Sequence, residues 1–147
     1  MTGALDTRVL DAYPGMPIDH DSKRYWAGCL EKRLLIARCA DCRHWIHFPR
    51  PVCPRCWSAR VEAEPVSGFG TVHLLTFYHQ ARGTGGVFGE PWPVAAVELA
   101  EQPGLRITST LVECARERMQ IGLPVELTWI EWNGAPVPAF RPRAAGA

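Results

Sequence analysis

The sequence predicts a mainly β protein: an N-terminal helical segment, a metal-held ribbon and a C-terminal five-stranded barrel. Three observations carry that reading. Two Cys-x-x-Cys pairs, Cys39-Ala-Asp-Cys42 and Cys53-Pro-Arg-Cys56, stand ten residues apart. Extended apolar segments flank them. From Val66 onward, β-branched and aromatic runs alternate with Gly, Pro and Asn turn signals.

Each Cys-x-x-Cys makes a tight turn that aims two sulfurs at one point, and two such turns satisfy a tetrahedral ion. Cys39, Cys42, Cys53 and Cys56 are therefore the expected ligands. Zinc is the expected ion, and iron in a rubredoxin-like site takes the same ligand set. Two disulfides are the competing use of these thiols. Disulfide frameworks suit small exported domains, however, and residues 1–10 lack a basic-then-apolar export pattern. Four thiolates leave no open position for water or substrate, so the ion is expected to be structural. Leu34–Ala37 leads into the first pair, and Val61-Glu62 begins a strand after the second. Strand, knuckle, strand, knuckle is the plan of a zinc ribbon. His44 and His47, in the insert 43–51, are expected as surface groups or as groups behind the thiolates.

A chain of 147 residues has room for one domain, or for a small domain and a mini-domain. Sixteen basic and fifteen acidic residues give a net charge of +1, which offers no electrostatic case for nucleic acid. No apolar run approaches the ~20 residues that span a bilayer. A reducing cytoplasm is the expected compartment, and it favours metal thiolates over disulfides. Fourteen of the sixteen basic residues are Arg, whose planar fork suits phosphate and carboxylate recognition.

Residues 1–20 show no strong period, and this arm is expected to be either disordered, above all over the first ten residues, or laid along a partner. Asp21 reads as a helix N-cap, with a helix over about 22–31. Tyr25, Trp26, Cys29 and Leu30 share its apolar face, which either packs on its own domain or anchors a partner subunit through Tyr25 and Trp26. After the ribbon, Gly68-Phe69-Gly70 marks a bend or bulge. A long strand over 71–79 follows, then a Gly-rich loop and strands at 94–99, 105–112, 125–132 and 137–140. A long first strand and a longer connection between the third and fourth suit a Greek-key OB barrel, with a short sandwich as the alternative. Such barrels bind in the loops joining strands one–two and four–five. Here these are 80–93, carrying Arg82, Phe88 and Trp92, and 131–134.

A catalytic set is hard to assemble. Cys29 falls on the apolar helix face and Cys114 at a strand end, where core or half-buried thiols are expected. His73 and His79 should share one face of the long strand, without an evident acid–base partner. Glu98 alternates with Val97 and Leu99 and reads as a solvent-facing carboxylate. The Gly-rich loop opens no helix and lacks the Lys-Ser/Thr ending of a phosphate-cradling loop. The residues by themselves suggest a binding or scaffold protein.

The ordered motifs resemble those of the zinc-ribbon/OB-fold acyl-CoA-associated family. The resemblance runs from about Tyr25 to Pro142. It rests on Tyr25-Trp26 with Leu30, Arg38-Cys39-Ala-Asp-Cys42, Pro49-Arg50, Cys53-Pro-Arg-Cys56, Val66 to Val72, Pro93 to Leu99, Ile121 to Glu126, and Phe140-Arg141-Pro142. It implies a helical arm over 1–32, a zinc ribbon over 33–63 and an OB domain over 64–147. It also implies a hetero-oligomer with a thiolase-like partner, no membrane, and acyl-CoA as a ligand of the complex. Some such proteins are similar to accessory subunits of steroid side-chain aldolase complexes, whose partner performs a retro-aldol cleavage of an acyl-CoA; others partner hot-dog-fold hydratases. Arg43 and Trp57 depart from the pattern, standing where a small residue, often Gly, commonly follows the knuckle. Two other readings stay open from the residues alone: a nucleic-acid-binding ribbon/OB protein, and a stand-alone enzyme using His73, His79 or Glu98.

Overall fold

The computed structural model describes residues 6–79 and 91–144. By packing it divides into two compact units between Ser67 and Gly68, with Trp129–Pro138 counted in the first.

The first unit opens with structure where disorder was expected. Thr7–Ala12 forms a short helix, α1. The Asp6 carboxylate caps it, accepting the Arg8 backbone N–H at 3.0 Å. Its end is held by distant packing: Tyr13 is buried, its ring lies 5.1 Å from that of Trp26, and its hydroxyl donates to the Pro136 carbonyl. The second helix, α2 (Lys23–Leu30), begins within two residues of its expected start. Its cap is not Asp21. The Asp19 carboxylate accepts the backbone N–H groups of Ser22 at 2.8 Å and Asp21 at 3.0 Å, while the Ser22 hydroxyl accepts the Asp19 N–H at 3.0 Å. Asp19 sits far enough back to bridge the turn, which Asp21, inside it, does not.

α2 lies against a three-stranded antiparallel sheet. Its order is β2 (Trp45–Ile46), β1 (Leu35–Cys39), β3 (Val61–Pro65), so β1 is central. Ala37 pairs with Ile46 on one side and with Ala63 on the other. The helix approaches the chain leading into β1 through Gly28. A Cβ there would stand 2.6 Å from the Arg33 carbonyl oxygen and 2.8 Å from Leu35 Cγ, well inside contact distance. The two-residue β2, in the insert between the Cys pairs, has no periodicity for a sequence pattern to detect.

The second unit is built on a curled five-stranded sheet, β6 (Arg106–Ser109), β5 (Trp92–Leu99), β4 (Phe69–Tyr78), β7 (Pro124–Trp132) and β8 (Ala135–Pro142) in that order, of which the β7–β8 hairpin end, Trp129–Pro138, counts in the first unit. An isolated parallel bridge, Leu111 to Phe140, joins the run after β6 to β8 and closes the curl, as an OB barrel requires. Val72, Ala95, Val97, Leu99, Ile107, Val125, Ala139 and Phe140 form its buried interior. The β4–β5 register shifts between Val72 and Leu74, a bulge at His73. The bulge breaks the alternation by which His73 and His79 were expected to share a face, and His73 and Leu74 are exposed in succession. Gly70 lies within the ladder, where a Cβ would meet the Glu98 carbonyl oxygen at 2.6 Å. Among the described residues, no helix is long and apolar enough to cross a membrane.

The Gly28 contact yields a stability test. Gly28→Ala is expected to destabilise the protein by about 1–3 kcal/mol through overpacking, read as a lower midpoint in denaturant unfolding.

Candidate metal centre and its surroundings

The four sulfurs of Cys39, Cys42, Cys53 and Cys56 all lie within 4.8 Å of one another. Cys39 Sγ is 3.5 Å from Cys56 Sγ, and Cys42 Sγ is 3.7 Å from Cys53 Sγ. A tetrahedral zinc with Zn–S bonds of about 2.3 Å places its sulfurs about 3.8 Å apart, so the cluster is the size that ion needs. Disulfide-bonded sulfurs sit at about 2 Å, far closer than these. Cys39 and Cys53 are buried, Cys42 is half-buried and Cys56 is exposed.

Backbone hydrogen bonds explain the convergence. In the first turn, the Arg43 N–H donates to the Cys39 carbonyl at 3.1 Å and the Cys39 N–H to the His44 carbonyl at 2.9 Å. The second turn repeats the pattern, from Trp57 to Cys53 and from Cys53 to Ser58, both at 2.9 Å. Each turn brings the residue after its second Cys into the left-handed region, Arg43 at φ 64° and Trp57 at φ 63°. Glycine adopts that conformation without strain, whereas a larger side chain costs of order 1–2 kcal/mol. Both departures from the small-residue pattern thus keep the knuckle geometry. The Cys42 backbone N–H hydrogen-bonds to Cys39 and lowers its thiol, which favours the thiolate there, while burial and the neighbouring sulfurs raise that of Cys56. Zinc held here would be fully coordinated by the protein and would supply folding free energy, not chemistry.

Ion pairs brace the ribbon from outside. Asp41, inside the first knuckle, accepts from Ser58 and Arg60 beyond the second. Glu64 of β3 receives Arg38 at 3.1 Å and Arg43 at 2.9 Å, and the Arg38 hydrogen bond leads the lowering of its carboxyl below the usual range.

Tyr25 packs inside its own unit, one of the two roles read for it and Trp26. Tyr25 is buried, and its ring lies 5.2 Å from Trp26, 5.7 Å from His47 and 6.1 Å from Phe48. An amphipathic face shows that a helix packs, not on what. Trp26 is half-buried, so Tyr25 in particular is a core residue of this unit and not an exposed anchor. His47 joins the same cluster away from the sulfurs, and burial pushes its imidazole down to about 4. Burial likewise pushes Cys29 up to about 12, as an inert core thiol.

Of the loop residues expected to bind, Arg82 and Phe88 lie outside the described residues, and Trp92 is half-buried at the start of β5. Glu98 pairs with Arg106 across the β5–β6 ladder at 3.2 Å. His73 and His79 are exposed, and Cys114 donates weakly to the Ala115 carbonyl at 3.5 Å. No catalytic constellation gathers among the described residues. The sequence reading missed the large apolar groups that do face solvent on the ribbon. Trp57 is 79% exposed and Phe48 50%. The left-handed turn after Cys56 is the signal that points Trp57 outward.

A closed four-thiolate ribbon and an OB barrel define the class, a zinc-ribbon/OB-fold protein. The family model described as the ChsH2 rubredoxin-like zinc ribbon domain matches residues 26–62, and the ChsH2 C-terminal OB-fold domain model matches 63–130. A DUF35 domain-containing scaffold protein of Methanocaldococcus jannaschii is 36% identical over 109 residues, covering 70% of this chain and 72% of that one. The chain belongs to the ChsH2-like DUF35 family. A probable enoyl-CoA hydratase alpha subunit of Thermomonospora curvata is 35% identical over 88% of this chain, but the match spans 40% of that protein's length. Among solved structures, a chain of an Ltp2-ChsH2(DUF35) aldolase superposes with a TM-score of 0.77 at 34% identity, covering 86% of this chain and 98% of that one. A DUF35 protein of unknown function from Sulfolobus solfataricus, at 12% identity and a TM-score of 0.60, supports the fold alone.

Two outcomes are expected here. Cys39→Ser loses stoichiometric zinc by elemental analysis and unfolds the ribbon, since four-thiolate zinc is worth ~10–16 kcal/mol in small peptides. For His47, the fold holds a neutral ring, so its contribution is complete above the unfolded value of 6.5 and is lost as pH falls toward about 4. His47→Gln should therefore lessen the loss of stability across that interval, by up to about 3 kcal/mol, in denaturant titrations at matched pH.

Proposed function

We propose that this chain is a non-catalytic accessory subunit of an acyl-CoA enzyme complex. The observation that carries the reading is its similarity along almost the whole length of a chain from the Ltp2-ChsH2(DUF35) aldolase. The alpha-subunit and scaffold names of its other relatives point the same way. The site agrees: its metal is closed by four thiolates, and no nucleophile–base pair assembles among the described residues. Exposed Trp57 and Phe48, with Arg55 two positions before Trp57, supply the residue types that dominate protein interfaces.

The partner we propose is a thiolase-like protein, and the reaction is retro-aldol cleavage of a steroid side-chain acyl-CoA. A relative in Mycobacterium tuberculosis, named 3-oxo-4,17-pregnadiene-20-carboxyl-CoA hydratase alpha subunit, supports the steroid substrate class. The catalytic acids and bases then belong to the partner. This chain orders the partner's active site and helps to hold the thioester.

Reconstitution with the thiolase-like protein of the same host tests the reading. A stable hetero-oligomer is expected, with acyl-CoA turnover far above that of either component. Trp57→Ala should weaken assembly at least about tenfold while leaving zinc content and unfolding midpoint unchanged. A chain that stays monomeric beside that partner and leaves its turnover unchanged would overturn the proposal.

A further inference from the structure

The two Cys knuckles share one backbone geometry, but their side chains are placed differently. In the first, the charged groups are taken up by the ribbon itself. Asp41 accepts from Ser58 and Arg60, and Arg43 pairs with Glu64 at 2.9 Å. In the second, Pro54, Arg55, Cys56 and Trp57 are all exposed, and Val52 just before them is exposed too. Among the described residues, the Arg55 guanidinium has no ion-pair partner. Nor does the Trp57 ring meet another aromatic ring or a cation among those residues.

These free groups stand on fixed backbone. The Trp57 N–H donates to the Cys53 carbonyl and the Cys53 N–H to the Ser58 carbonyl, both at 2.9 Å, so the turn closes on itself. An exposed indole and valine beside an unanswered guanidinium fit an apolar surface edged by an anion. The stretch 42–61 holds no acidic residue, so it does not supply that anion itself. A protein carboxylate suits the need better than a nucleic-acid backbone. Nucleic-acid binders commonly neutralise roughly 6–10 phosphates, and this knuckle offers a single free cation. Arg50, the nearest arginine before it in sequence, shares a recess with Asp21 and Glu62 and does not extend a basic strip.

We propose that the second knuckle is the part of the ribbon that docks on the partner subunit. Trp57 and Val52 seat on an apolar floor there, and the Arg55 guanidinium forks onto a carboxylate at its edge. This rests on the accessory-subunit reading and adds the chemistry of the surface that receives the chain. A guanidinium–carboxylate fork desolvated beside an aromatic anchor sets the register of docking as well as its strength.

Isothermal titration of the full zinc-loaded chain against the thiolase-like protein of the same host, at several ionic strengths, tests the docking surface. Arg55→Glu should weaken assembly about tenfold or more, with zinc content and unfolding midpoint unchanged. Arg55→Lys, which keeps the charge and loses the fork, should weaken it less. Affinity of the unaltered chain should fall as salt rises, and that of Arg55→Gln should fall less steeply. A complex that forms with undiminished affinity in Arg55→Glu would overturn the docking surface and leave the subunit reading standing. A chain that binds no such partner would overturn both. Salt-sensitive binding of single-stranded nucleic acid that Arg55→Glu abolishes would also overturn it, because the cation would then answer phosphate.

Discussion

The first unit depends on four sulfurs meeting at one point. Elsewhere the unit buries Tyr25, Leu34, Ile36 and Trp45, but the packing about the sulfurs themselves is made of small groups. Its buried cluster is Ala37, Cys39, Ile46 and Cys53, with Cys42 and Val61 packed alongside, so half of those side chains are metal ligands. Small apolar groups of this kind bury too little surface to offset the entropy of ordering the long insert between the Cys pairs. A metal that binds only the folded arrangement supplies what the core lacks. Cys39 ends β1, the central strand, so fixing that sulfur fixes the strand on which α2, β2 and β3 all rest.

The same constraint places the surfaces a partner or ligand would meet. Knuckle geometry turns Arg43 back onto Glu64 and turns Trp57 out to solvent. Left-handed backbone at both positions is held by hydrogen bonds within the turns, so each side chain is mounted on a stiff base. A rigid aromatic loses little entropy on docking, which is why such groups serve well as anchors. The aromatic cluster of Tyr13, Tyr25, Trp26 and His47 packs within the same unit.

Much of this was legible in the residue order. Cys spacing declares a tetrahedral site because two tight turns have few other uses. Strand runs separated by Gln102-Pro103-Gly104 and Asn133-Gly134 marked out the barrel's strands along the chain. What escaped the sequence depends on contacts between distant residues. The α1 helix is too short to show a period and ends where Tyr13 reaches Trp26 and Pro136. Asp21 reads as the cap in one dimension, but it is Asp19 that binds the turn leading into α2, which only the turn geometry shows. The bulge at His73 is set by its ladder with β5, so residue parity misplaced its face. Tyr25 lay on an apolar stripe whose cover, self or partner, no periodicity reveals.

Burial is uneven across the four ligands: Cys39 and Cys53 are sealed, Cys42 is half covered, and Cys56 is open. A competitor for the ion, whether a chelating thiol or an oxidant, must therefore begin at Cys56. Release of zinc then has a direction. The second knuckle loosens first, while Cys39 and Cys42 still hold the end of β1. Any surface that covers Cys56 slows that first step, so the lifetime of the metal would depend on whatever stands over a single sulfur.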